Sequence, residues 1–314
     1  MAARSRYRRT TRRYPARRPA KKYGGRTTRS SYGRKRTYRK KASMSKRSIL
    51  NTTSRKKRDT MAYYTNSTAA SQSGGTTYTQ DAALIVGGSS TPACFLWCAT
   101  GRDYTINNTG TNGTVDDQAT RTAQSCYMRG LKEAIEIQVA DGLPWQWRRI
   151  CFTAKGLQTL FAATTGFSLV IEASTGFQRV LNQVPGDSAT TTSLRAVIET
   201  LLFKGAYARD WLDPMTARTD NSRLTIKYDK TITIASGNED GCIRSYNRWH
   251  GMNKTLVYND DESGGDEIGS FYSTIGKAGM GDYYVMDYFR PRTGSTSSNQ
   301  LRLAPSSTLY WHEK

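Results

Sequence analysis

The chain has 314 residues, with 47 Lys and Arg against 25 Asp and Glu and a net charge of +22. No apolar run approaches the roughly 18 residues of a membrane-spanning helix, and the N-terminus lacks the apolar core of a secretory signal. These features predict a soluble protein made in the cytosol, without a membrane partner.

The charge is concentrated at one end. The first 58 residues hold 24 basic residues and no acid; the first acid is Asp59, and everything after Arg58 is close to neutral. Such a segment has too little apolar surface to offset about 1 to 2 kcal/mol of backbone entropy per ordered residue, so residues 1–58 are expected to be disordered when alone. Arg4, Arg6, Arg8, Arg9, Arg12, Arg13, Arg17, Arg18, Lys21 and Lys22 alternate with Tyr7, Tyr14 and Tyr23, and Tyr32 and Tyr38 continue the series. Guanidinium groups on phosphates and rings on unpaired bases suit a single-stranded polyanion, which makes these residues the candidate DNA contacts; a solvated basic tail is the plainer alternative. Two denser clusters, Arg34, Lys35, Arg36, Arg39, Lys40, Lys41 and then Arg55, Lys56, Lys57, Arg58, also fit recognition by a nuclear import receptor.

Residues 59–80 are rich in Ser, Thr, Gly and Asn and read as a flexible lead-in to one folded domain over 81–314. The hydrophobic signal there has period two. Ile135, Ile137 and Val139 alternate with Glu136 and Gln138, and an Asp141-Gly142-Leu143-Pro144 turn leads to a second strand over 147–153. Further strands are expected over 82–86, 93–99, 167–173, 224–228, 231–235, 255–258, 283–289 and 308–311. One segment is helical in spacing: Leu194, Val197, Ile198, Leu201 and Leu202, with Ser193 as cap and Gly205 ending the turn. Many short strands, long polar connections and one helix predict an all-β fold, a single eight-stranded jelly roll with a helix in one loop.

Catalytic and metal chemistry is not legible. The Gly276-Lys277 pair has Phe271 where a phosphate loop needs its leading Gly, and the only histidines, His250 and His312, are far apart in the chain. Cys94, Cys98, Cys126, Cys151 and Cys242 leave an odd one over, sit in apolar runs and are expected as reduced core thiols, without a second Cys or His pair at zinc spacing. The acidic stretch 259–267 fails the EF-hand pattern and reads as a solvated loop, with a cation or a basic partner as alternatives. No cofactor, metal or enzymatic activity is expected. Trp145 and Trp147 beside Arg148 and Arg149 are expected at a subunit contact or a DNA-facing surface, ordinary core being the alternative for the tryptophans.

The stretch QSCYMRGLKEAIEIQVADGLPWQWRRICFTAKG, Gln124 to Gly156, resembles the capsid proteins of genomoviruses, small circular single-stranded DNA viruses. LRAVIETLLFKG from Leu194, RLTIKYDKTITIASGN from Arg223 and the aromatic run from Tyr283 to Phe289 are similar to the same family. The resemblance implies a viral-type jelly roll that assembles as a homo-oligomer, a T=1 icosahedral shell of 60 subunits, around a single-stranded DNA genome. It also implies localisation to the virion and the host nucleus. A non-viral RNA- or ribosome-associated protein with a basic tail is the rival reading, weakened by the near-neutral charge after Arg58.

Overall fold

The computed structural model describes residues 44–160, 167–190 and 192–314. The candidate residues between Arg4 and Lys41 lie outside them. Residues Lys46–Lys314 form one compact unit.

The strands are β1 Arg55–Met61, β2 Tyr63–Thr65, β3 Ala83–Val86, β4 Ala93–Cys98, β5 Ser125–Val139, β6 Trp145–Ala154, β7 Glu172–Ala173, β8 Gly176–Phe177 and β9 Arg179–Leu181. They continue with β10 Thr225–Ile234, β11 Cys242–Val257, β12 Asp261–Ser263, β13 Asp266–Ile268, β14 Asp282–Pro291 and β15 Gln300–Glu313; the helices are α1 Lys46–Thr53 and α2 Leu194–Leu202. One sheet runs β1-β15-β5-β11, and β3 pairs with the other half of β15, on residues 300–303 against the 307–313 taken by β1. The second sheet runs β10-β6-β14-β4. All these pairings are antiparallel.

If β1 and β3 are counted as one interrupted strand, the eight positions in chain order stack as 1-8-3-6 over 5-4-7-2. That order is the double Greek key of an eight-stranded jelly roll, as the period-two pattern predicted. Two strands expected over 224–228 and 231–235 are the single β10, and the strand expected over 167–173 reduces to β7.

The two sheets differ in how they are covered. β5 alternates buried and exposed positions for most of its length, whereas β14 is buried from Asp282 to Phe289. On β14, Tyr283, Val285 and Phe289 point between the sheets, while Tyr284, Met286 and Tyr288 point away into a second core with Leu194, Ile198 and Leu202 of α2. Each such buried side chain contributes roughly 1.5 to 3 kcal/mol, so α2 is held by its apolar stripe more than by helix propensity. The Ser193 hydroxyl accepts from the Ala196 N–H as expected, and the helix stops at the Phe203 cap, with Gly205 at φ 87 two residues beyond.

Two expected boundaries are corrected. Residues 46–58 belong to the fold as α1 and β1, because Lys57, in an otherwise basic run, turns inward and pairs with Glu313 at 3.2 Å. The stretch 59–80 is no flexible lead-in: β2 pairs with β9, and Asn66 is buried, its amide donating to the carbonyls of Gly75 and Gln183 and to Asn182. Polar composition marks a surface only where its hydrogen bonds go to water; here they go to the chain.

Candidate nucleic-acid interface

The expected DNA contacts at Arg148 and Arg149 are corrected by their burial. Arg148 makes a bidentate pair with Asp229 at 2.9 and 2.7 Å. Arg149 reaches Asp287 at 2.7 and 2.8 Å and donates to Glu133. Trp145 and Trp147 are ordinary core, both buried, and the Trp147 indole N–H donates to Asp287 at 2.7 Å. The physical reason lies in the covered second sheet: both faces of β6 meet protein, so alternation exposes neither of them.

Glu133, Arg149, Arg179, Asp287 and His250 form one charged cluster between the sheets. Arg179 donates to Glu133 at 3.1 Å and lies over the Trp97 ring at 4.1 Å, and Ser307 donates to Glu133 at 3.1 Å. Two guanidiniums therefore face two carboxylates, and β5, β6, β9, β14 and β15 are tied across the core. Burial works against the Glu133 carboxylate, but Arg149 and Arg179 overcome it and hold its pKa at about 2. Burial and the charge of Arg149 push His250 down to about 4, so this imidazole is neutral at pH 7. Its Nδ1 lies 3.9 Å from the Cys151 sulfur, yet burial pushes that thiol up to about 12, the reverse of an activated thiolate.

All five cysteines are free thiols, four of them buried. The acidic stretch forms the β12–β13 hairpin, and Asp260 at its base is taken by Arg121 at 2.5 and 2.9 Å. Among the described residues no group of three or more His, Cys, Asp or Glu is placed to hold a metal ion.

Of the second expected import cluster, Arg55, Lys56 and Arg58 are exposed and Lys57 is buried. Lys56 and Arg58 instead head two cross-strand rows on the outer face of the β1-β15-β5-β11 sheet. Lys56 is in register with His312 and then Tyr127; Arg58 is in register with Tyr310 and then Gly130. The next row is Thr60, Thr308, Lys132 and Trp249. A register shift between Tyr310 and Trp311 leaves Arg129 unpaired on β5, and its guanidinium donates to Asn253.

Trp249 is 55 % exposed, with its ring 5.8 Å from that of Tyr310. Gly130 makes room for it: an added Cβ there would sit 2.7 Å from the indole Cζ2. The carboxylates of the flanking strands, Asp59, Glu133 and Glu313, are buried on the opposite side, and Glu136, two rows further on, lies 3.5 Å from Arg302. Burial and the charges of Arg129 and Lys56 depress the pKa of His312, a local sign of the positive field.

Sequence reasoning reached only the end of β11 and so missed Trp249. The alternation Ser245, Asn247, Trp249 was the available signal. No known family model matches the chain, and no curated protein matches its sequence.

Proposed function

We propose that this chain is a structural capsid protein which self-assembles into a T=1 shell of 60 subunits and packages circular single-stranded DNA through its basic N-terminal arm. The observation that carries the proposal is the pairing of two unlike parts: a polycation, and a near-neutral jelly roll of eight strands. The resemblance of Gln124 to Gly156, and of the later segments, to genomovirus capsid proteins supports the same reading. Eighteen of the 24 basic residues precede Lys46. Sixty subunits would then bring on the order of 1,100 positive charges to the genome, matched to a single strand of one to a few kilobases. A duplex suits such a shell less, because its persistence length of about 50 nm makes tight bending costly.

Electron microscopy of the purified full chain tests the proposal. Closed, uniform shells with nuclease-protected single-stranded DNA are expected; discrete monomers overturn it. The arm is tested by deleting residues 2–45, since a cut at 58 would also remove most of β1 and the Lys57–Glu313 pair. The deletion is expected to leave a folded domain with a much shallower salt dependence of single-strand binding; an unchanged salt slope overturns the arm's role.

Entry to the host nucleus by way of an import receptor belongs to the same proposal, with Arg34, Lys35, Arg36, Arg39, Lys40 and Lys41 as the signal. Lys57 is committed to β1, so Arg55 to Arg58 do not form an open run. Alanine at the first cluster is expected to hold a tagged protein in the cytoplasm, and nuclear accumulation equal to the parent's rejects the assignment.

A further inference from the structure

We propose that the outer face of the β1-β15-β5-β11 sheet is a second binding site for single-stranded DNA, where an unpaired base stacks on Trp249 beside Tyr310 and flanking phosphates meet Arg58, Lys132, Arg129 and Lys56. The inference deepens the packaging reading and rests on it for the identity of the polyanion. Its own support is the surface itself.

An indole more than half exposed loses little by covering a nucleobase and gains a stacking partner. Trp249 is held in place for that purpose by the missing side chain at Gly130, which lets the ring lie against the β5 backbone. None of the four basic side chains takes part in an ion pair among the described residues, while Arg102, Arg121, Arg148, Arg149, Arg179 and Arg195 of the same domain are each buried against a carboxylate. The basic residues on this face are therefore among those left for an external anion, and they are the ones set beside an exposed indole. Cross-strand register sets rings and charges side by side, and residues two apart on a strand are about 7 Å apart, so a strand of nucleic acid lying across the face meets both kinds of group. Paired bases in a duplex are closed to such stacking, which selects for the single strand.

Trp249 also supplies the assay. Trp97, Trp145, Trp147, Trp211 and Trp311 are all buried, so the solvent-accessible tryptophan fluorescence of the full chain, excited apart from that of its tyrosines, belongs to Trp249. The full chain is titrated with oligothymidylate, with an abasic strand of equal length and with a duplex, in parent, W249F and W249A forms. Quenching of the parent by oligothymidylate but not by duplex is expected, and the quenching is lost in W249F. Affinity for oligothymidylate falls about tenfold in W249A, while the abasic strand binds parent and W249A alike. The double variant R58Q/K132Q should lower the salt slope by about 1.4, two phosphate contacts on a single strand.

Equal affinity and equal abasic discrimination in parent and W249A overturn the site. W249A protein that binds DNA as the parent does but no longer forms shells also overturns it, assigning the face to a subunit contact. Shells are scored separately by microscopy. Normal shells with unchanged DNA affinity reject this site and leave the packaging reading standing, whereas a tenfold loss in protein that never forms shells keeps the site and rejects the shell.

Discussion

The two sheets of this jelly roll contain similar strands in opposite settings. In the β10-β6-β14-β4 sheet the strands β6, β14 and β4 are covered on both faces, and the charged residues buried there, Arg148, Arg149 and Asp287, are internally paired; only the edge strand β10 is largely exposed. The β1-β15-β5-β11 sheet is covered on one face, and its outer face keeps exposed Lys56, Arg58 and Lys132 without ion pairs among the described residues. An arginine in a strand is thus no evidence of a nucleic-acid contact until the covering of its sheet is known. Charge in the first setting specifies how the sheets meet; charge in the second is available to a ligand.

The largest test of this contrast is Asp287→Ala, which strips Arg149 and the Trp147 N–H of their shared acceptor. Removing one partner of a buried pair is expected to cost about 3 to 5 kcal/mol, read from urea unfolding of the full chain. A loss below 1 kcal/mol would mean that the cluster does not join the sheets.

Protonation gives the next effect, with two opposed signs. His250 has its folded pKa lowered from 6.5 to about 4, so between those values the unfolded chain binds a proton that the folded chain refuses, and stability falls with falling pH. Asp282, buried and held by Ser273 and Thr100, has its folded pKa raised by that burial from 3.8 to about 6. The folded chain then takes up its proton first, and stability rises as pH falls through the same window. Each swing is worth up to roughly 3 kcal/mol, and in the parent they oppose each other. Relative to the parent, His250→Gln should therefore gain stability from pH 6.5 to 4.5 and Asp282→Asn should lose it. Parallel curves for the two variants would break the assignment. Glu133, held at about 2 against an ordinary 4.5, adds its own loss only below about pH 4.5.

A smaller effect is expected at the covering layer. Ser193→Ala removes the cap of α2 and should cost about 1 kcal/mol in thermal or urea unfolding. An unchanged midpoint would show that packing alone fixes the helix start. The smallest belongs to the open face, where Lys132→Gln should shift stability by no more than about 0.5 kcal/mol. A larger loss would show that the outer face carries structural charge after all.

The strands of the open sheet were legible in part because one wet face enforces alternation: Ile135, Ile137 and Val139 marked β5 directly. β14 was equally visible as an apolar run, but periodicity could not say that its second face meets α2. The Ser193 cap and the stripe of Leu194, Ile198 and Leu202 announced that helix, since both are local and repeat at helical spacing.

Composition by itself determined the polycationic end, the near-neutral remainder and the predominance of strands, because charge density and period-two alternation are properties of neighbouring residues. Tertiary structure decided which charges are free. Arg149 and Lys57 were grouped with DNA-binding and import residues on the strength of basic neighbours, yet their partners Asp287 and Glu133, and Glu313, lie 138, 16 and 256 positions away in the chain and come within reach only when β6 meets β14 and β5, and β1 meets β15. The same long-range pairing brings Arg58, Tyr310, Lys132 and Trp249 together on one surface, from four strands whose order in the sheet no local pattern encodes.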